Sequence, residues 1–294
     1  MLRKLVCILT FLALGACSAP VSSTAGGSLL VVVTTSIIGD VAAQVGGSRV
    51  NVRVLLPVGS DPHAYEPRPQ DVAALTDADL VLVNGLGLEA TLTPLLQNAK
   101  ATVTVSDGIQ AIPFNGKEGG LDPHVWQDPN NVIVWVHNIA EAFSNADPTN
   151  AGEYAANAQT YINELTALNA WIIEQVARIP EGNRRLVTEH DTFGYFAARY
   201  GFELIGEIIP SVSTGSSPSA KELAALEDAI RASGVQAVFV GSTVSPDLSR
   251  RVADDTGIKL VALFTDSLSA PGGGAETYLA FMRYNMNAIV EALK

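Results

Sequence analysis

Cysteine is nearly absent from this chain: there are two in 294 residues, Cys7 and Cys17, both close to the N-terminus. Everything after them lacks disulfides and lacks thiolates that could hold a metal. Basic residues are few and scattered, 18 Lys and Arg against 30 Asp and Glu, for a formal net charge of −12. No cluster of them could follow a phosphate backbone, so nucleic acid is excluded as a partner. Beyond the N-terminal segment no apolar run is long enough to span a bilayer. There is no Gly-rich loop ending in Gly-Lys-Ser/Thr to hydrolyse ATP, and no His-Glu-x-x-His pair. Histidine is also rare, four in all.

The first 17 residues read as a processing segment. Arg3 and Lys4 form a short basic region, Leu5 to Leu14 is almost wholly apolar, and Leu14-Gly15-Ala16-Cys17 looks like a bacterial lipobox. Cys17 would then carry the lipid and become the mature N-terminus; the plainer alternative is a secretory leader that happens to contain it. Of the 18 basic residues two leave with the leader, so 16 face 30 acids and the mature charge is −14. Residues 18–28, rich in Ser, Ala and Gly, read as a flexible tether. The expected location is extracytoplasmic, with the N-terminal lipid as the sole membrane attachment.

The whole chain is 48% hydrophobic and 16% charged, and its length suits two domains. Strand-like runs at Leu29–Val33, Val50–Leu56, Leu80–Val83 and Ala101–Val105 alternate with helical segments at Ile37–Val45, Gln70–Thr76 and Leu86–Asn98. After a helix from Asn130 to Ser144, the rhythm resumes with strands at Leu186–Thr188, Phe202–Ile209, Val235–Val240 and Lys259–Phe264. Alternation of this kind predicts an α/β protein with mostly parallel sheets. Between the two halves Tyr154, Ala158, Tyr161, Leu165, Leu168, Ile172 and Val176 recur in steps of three and four. They predict one long rigid helix, with Asp147 as its N-cap, over 148–180. Counted from Pro148 to Arg178 it would be about 31 residues and about 46 Å long. The expected divisions are an N-terminal lobe at 29–147, the linking helix at 148–180 and a C-terminal lobe at 181–294.

Asp61-Pro62-His63 has a near-copy in Asp122-Pro123-His124, and each is followed by an aromatic and a proline: Tyr65 and Pro67, Trp126 and Pro129. One such tripeptide is an ordinary turn, and one histidine an ordinary core or surface residue. Two matched copies, with His190 at another strand end, argue for a shared divalent ion. Asp266 follows the last strand and would add a carboxylate, through one oxygen or both. Ligands of open α/β sheets bind beyond the carboxyl ends of the strands, where all four residues fall. Three neutral imidazoles and one carboxylate would leave a net +1 on the ion. Glu189, Asp191, Asp61 and Asp122 are candidate acceptors for the ring N–H groups. His137 falls inside a helix and is not counted.

Four stretches carry a family resemblance: Gly59-Ser60-Asp61-Pro62-His63-Ala64-Tyr65-Glu66-Pro67, Leu121-Asp122-Pro123-His124-Val125-Trp126, His190-Asp191-Thr192-Phe193-Gly194-Tyr195-Phe196 and Thr265-Asp266-Ser267. In this order they resemble the metal-specific solute-binding lipoproteins of bacterial ABC importers for zinc and manganese, a cluster that includes adhesin lipoproteins. The resemblance implies two α/β lobes on one long helix, little lobe movement on binding, and His63, His124, His190 and Asp266 as ligands of a single ion. It also implies a monomer that delivers the ion to an ABC permease with a cytoplasmic ATPase, and no enzymatic activity. Two departures stand out. Asn115 to Gly120 contains no histidine where zinc-uptake members often have a His-rich loop, and Gly241 stands where many members have Glu.

His190 stands where manganese-binding members often have Glu, and a nitrogen-rich shell favours Zn2+ by softness and tetrahedral preference. Zinc is therefore the expected cargo, manganese the alternative and iron third. A zinc hydrolase with Glu189 as base, or a surface adhesin, would be a different class of function. If Cys17 is the lipid site, Cys17→Ser should move the protein from the membrane fraction to the soluble fraction; retention in the membrane would rule the lipobox out.

Overall fold

In a parallel strand covered on both sides, successive residues must both be apolar, and they enter different cores. The first strand, β1 (Leu29–Val33), follows this rule. Val31 and Val33 enter the main hydrophobic core, and Val32 enters an outer one with Leu75, Val81 and Leu92. The computed structural model describes residues 28–114, 119–211 and 214–294. The leader, Cys17, nearly all of the tether and residues 115–118 lie outside them.

After β1 come α1 (Ser36–Gly46), β2 (Val50–Val54), α2 (Pro69–Asp77), β3 (Leu80–Val83), α3 (Thr93–Leu96), β4 (Thr102–Thr104) and α4 (Pro129–Ala146). The long helix α5 (Ala151–Val176) follows. The second half contains β5 (Arg185–His190), α6 (Gly194–Tyr200), β6 (Glu203–Ile209), α7 (Ala220–Ser233), β7 (Ala237–Val240), α8 (Asp247–Thr256), β8 (Lys259–Ala262) and α9 (Tyr278–Leu293). The strands form two parallel four-stranded sheets, ordered β2-β1-β3-β4 and β6-β5-β7-β8. The two orders are the same topology repeated, and in each the strands' carboxyl ends share one edge.

Helix ends follow local chemistry. Thr35 caps α1 by accepting from the Ile38 N–H at 3.3 Å, and Thr277 caps α9 by accepting from Ala280 at 3.2 Å. Ser219 and Glu222 form a reciprocal capping box on α7, so this helix starts just beyond the expected Ser217-Pro218. Gly201, Gly234 and Gly257 end α6, α7 and α8 in left-handed backbone.

The stripe that defines α5 is the one the sequence marks out. Tyr154, Ala158, Tyr161, Leu165, Leu168, Ile172 and Val176 are all buried. They pack against α1 and α4 on one side and α9 on the other, so one apolar cluster runs from the first sheet to the second. The helix is shorter than expected, 26 residues, or about 39 Å. Residues Pro148–Asn150 form a 3-10 turn before it, and Asp147 instead accepts the side chains of Asn150 at 2.6 Å and Tyr154 at 2.9 Å.

The expected helix over Leu86–Asn98 is reduced to α3 within a run of turns. Gly85, Leu86 and Gly87 all have positive φ, which right-handed helix does not allow. The buried carboxylate of Glu89 folds back over this bend. It accepts from Thr34 Oγ1 at 2.9 Å, Asn84 N at 2.6 Å and Gly85 N at 2.9 Å. Among the described residues no helix is long and apolar enough to cross a membrane.

Leu168 is fully buried between the two halves. Leu168→Ala should destabilise the protein by about 2–5 kcal/mol through lost transfer energy and a residual cavity, read as a lower urea midpoint; an unchanged midpoint would show that α5 carries little of the shared core.

Candidate metal centre

Both Asp-Pro-His tripeptides are built the same way. The Asp carboxylate accepts the backbone N–H of the histidine two residues on, at 2.8 Å for Asp61 to His63 and 2.9 Å for Asp122 to His124. This turn closes over the rigid proline and projects the imidazole outward from the strand edge. The following aromatics anchor the turns. The Tyr65 hydroxyl donates to Asp71 at 2.8 Å, and Trp126 Nε1 donates to the Thr265 carbonyl at 2.8 Å.

His63 lies in the connection after β2, His124 in the one after β4, His190 is the last residue of β5, and Asp266 lies just beyond β8. All four meet where the two sheet edges face each other. One ligand atom from each falls within 4.8 Å of every other. His63 Nε2 is 3.1 Å from His124 Nε2, and Asp266 Oδ1 is 3.8 Å from His124 Nε2 and 3.6 Å from His190 Nε2. His124, His190 and Asp266 are buried; His63 is partly exposed on the open side. His137 is an exposed residue of α4, away from the cluster.

Of the candidate acceptors, Asp122 meets a ring nitrogen: its Oδ1 lies 2.8 Å from His124 Nδ1. A proton on Nδ1 leaves the Nε2 lone pair facing the cluster. Asp61 and Glu189 do other work. Asp61 Oδ2 accepts the hydroxyl of Thr214 from the second half of the chain, and Glu189 Oε2 accepts the Gly241 N–H at 3.0 Å. Gly59 N also donates to Ser267 Oγ at 2.8 Å, so the His63 loop is tied twice to the opposite lobe. Tyr195 joins the lobes from α6 by donating to the Asp122 carbonyl at 2.9 Å.

Sequence reasoning misses the hydroxyls around Asp266. Thr243 Oγ1 and Thr265 Oγ1 donate to its Oδ2 at 3.0 and 2.7 Å. Oδ1, like both ring nitrogens of His190, is buried without a hydrogen-bond partner. Buried polar atoms left in this way are costly, and a cation between them would satisfy Asp266 Oδ1 and His190 Nε2 at once.

Proton affinities diverge within the cluster. Burial, with the neighbouring His124 and His190, pushes His63 down to about 3, only partly countered by Asp266. Burial also opposes a charge on His190, but the Asp266 carboxylate beside it outweighs that and raises His190 to about 9. Asp266 is held well below the usual carboxylate range, because its three histidines overcome the cost of burial. Glu189 is raised to about 7, chiefly by burial.

The family model described as zinc-uptake complex component A, periplasmic, matches residues 31–292. The chain belongs to this family. The manganese-binding lipoprotein MntA of Halalkalibacterium halodurans is 36% identical over 275 residues, which cover 92% of this chain and 91% of that protein. Among solved structures, the periplasmic zinc binding protein TroA from Treponema pallidum superposes with a TM-score of 0.84 at 30% identity, covering 91% of this chain and 99% of TroA. The Mn-bound periplasmic metal binding protein from Candidatus Liberibacter asiaticus gives a TM-score of 0.83 at 29% identity, covering 91% and 100%.

This member of the zinc-uptake component A family is therefore an extracytoplasmic, lipid-anchored metal-binding component of a bacterial ABC importer, and not an enzyme. Membership implies a membrane permease and an ATPase as its partners.

In the metal-free protein His190 takes up a proton as pH falls through about 9. If His190 is a ligand, a metal must displace that proton, so affinity should fall by about tenfold per unit as pH drops from 9 to 7, and should level off above 9. His63, at about 3, stays neutral across this window. Calorimetry at pH 8 in buffers of different ionisation enthalpy should read about one proton released per ion; no release would mean that His190 is already neutral or is not a ligand.

Proposed function

We propose that this chain captures one Mn2+ ion outside the cytoplasmic membrane and passes it to its permease, with His63, His124, His190 and Asp266 as the four protein ligands. The observation that carries the reading is the convergence of these donor atoms within 4.8 Å of one another from three loops and the end of β5, on two facing lobes. Three imidazoles and a carboxylate are ligands for a borderline divalent ion, and water would complete the larger shell that Mn2+ prefers. On this reading 1–17 is the leader, Cys17 the lipid site, 18–28 the tether, 29–147 and 181–294 the lobes and 148–180 the link between them.

The cargo is where this reading departs from the sequence argument for zinc. That argument rests on the softness and tetrahedral preference of a nitrogen-rich shell. Relatives named for manganese, such as MntA and the manganese ABC transporter substrate-binding lipoprotein PsaA of Streptococcus pneumoniae, outweigh those named for zinc. Zinc remains the second reading, because of the nitrogen-rich shell and the likeness to TroA.

Affinity order alone cannot decide the matter, because most N/O sites favour zinc over manganese. The test is to strip the protein and titrate Mn2+ and Zn2+ separately. Stoichiometric, tight Mn2+ binding supports manganese capture. Failure to hold Mn2+ while Zn2+ binds stoichiometrically would return the cargo to zinc. His63→Ala and His124→Ala should each weaken Mn2+ binding by at least about 10–100-fold, the loss that even outer-shell changes cause, with the circular-dichroism spectrum retained. An unchanged affinity would remove that residue from the ligand set.

A further inference from the structure

The two oxygens of Asp266 have different surroundings. Oδ2 accepts two hydroxyl protons, from Thr243 at 3.0 Å and Thr265 at 2.7 Å. Oδ1 has no hydrogen-bond partner and faces His190 Nε2 and His124 Nε2 at 3.6 and 3.8 Å. A carboxylate oxygen offers about two lone-pair sites, so Oδ2 is saturated by the hydroxyls and Oδ1 is free for an ion.

The clamp is itself held in place. Thr265 is buried, and its carbonyl accepts Trp126 Nε1 from the other lobe. Gly241 lies directly behind it. A Cβ there would collide with Thr265 Oγ1 and come within 3.1 Å of Glu189 Oε2. Gly241 has no positive φ to explain it. Its requirement is space, and the space it leaves is where the Thr265 hydroxyl turns toward Asp266.

Resting on the ligand set proposed above, we propose that Thr243 and Thr265, with Gly241 making room for the second, are positioning residues that keep Asp266 a one-oxygen ligand and so set the balance between Mn2+ and Zn2+. A one-oxygen Asp266 completes a four-donor shell of three nitrogens and one oxygen. Zn2+ is satisfied by four donors in tetrahedral array. Mn2+ favours a larger, more oxygen-rich shell and loses more when the second oxygen is withheld. The clamp therefore weakens the hold on Mn2+ relative to Zn2+, which suits a protein that must release its cargo to a permease.

The test compares the wild type with the double variant Thr243→Val, Thr265→Val, which keeps the shape of both side chains and removes both hydroxyls. Co2+ is the spectroscopic probe, because four-coordinate Co2+ absorbs visible light far more strongly than five- or six-coordinate Co2+. The wild type should show the intense bands of four-coordination. The double variant should show weaker bands, and its Mn2+-to-Zn2+ affinity ratio should rise about tenfold, the lower end of what outer-shell changes produce. Thr265→Ser, which keeps the hydroxyl, should retain the wild-type spectrum. Gly241→Ala, which displaces Thr265, should weaken the bands and serves if the double variant does not fold.

Unchanged bands together with equal losses for Mn2+ and Zn2+ would overturn the proposal and leave the metal-capture reading standing. Failure of the wild type to bind Co2+, Mn2+ or Zn2+ would overturn both.

Discussion

A carboxylate shut away from water beside three imidazoles is the constraint around which this protein is arranged. Burying a lone carboxylate is expensive, and in ordinary cores it would take up a proton instead. Asp266 is driven the other way because His190, His124 and His63 surround it. The arrangement holds only while three loops and the end of β5, from two sheets, stay in register. The ties that keep them so cross between the lobes: Trp126 to Thr265, Tyr195 to Asp122, Thr214 to Asp61 and Gly59 to Ser267. Behind them α5 joins both sheets through one apolar stripe, so the lobes rest on a common core. A hinge through such a core would expose buried leucines and tyrosines. Motion that admits or releases an ion is cheaper in the loops, and His63, the partly exposed donor, sits on one of them.

The matched tripeptides have the same backbone construction and different electrostatics. His124 Nδ1 lies within hydrogen-bonding distance of the buried Asp122 carboxylate, while Asp61 uses its second oxygen to accept from Thr214. His63 consequently has no carboxylate behind its ring, and burial beside two other histidines keeps it neutral. His190, facing Asp266, holds a proton instead. The metal-free centre thus contains its own stand-in cation, an imidazolium beside a carboxylate. On the proposed ligand set an incoming metal replaces that proton, and the exchange moves the pH dependence of capture up to between 7 and 9, above the range of an ordinary surface histidine.

What was legible in the sequence was local. The α5 stripe, the strand runs and the two Asp-Pro-His turns are each written in a few consecutive residues, and the four residues singled out from them do converge. Contacts made across space were not legible. Leu86–Asn98 has helical spacing, yet Glu89 bends the chain by capturing backbone N–H groups at Asn84 and Gly85. Asp61 and Glu189 carry charge at the right positions to orient a histidine, and the fold employs them elsewhere. The threonines holding Asp266 come from two separate connections, and one loop hydroxyl looks like any other until both are seen on one oxygen. Gly241 was visible as an oddity, and its reason is the volume of a neighbour 24 residues away in a different loop.

Selectivity is the point at which composition of the shell stops being informative. Softness ranks zinc above manganese for almost any set of nitrogen and oxygen donors, so three histidines and an aspartate would favour zinc wherever both ions compete at equal concentration. A receptor for manganese with this shell must therefore depend on which ion is available and on how readily each is given up. Release is the more demanding requirement, because an ion held by every donor in its ideal geometry is not handed on. On the proposed ligand set, the carboxylate oxygen tied back by Thr243 and Thr265 leaves the protein one donor short of the shell Mn2+ prefers, and water must make up the rest. The deficit that makes manganese the weaker binder also makes it the easier one to transfer, while zinc, satisfied by four donors, would tend to remain. On this argument a nitrogen-rich shell and a manganese cargo are compatible: the shell sets capture, and the tied-back oxygen limits how strongly the cargo is kept.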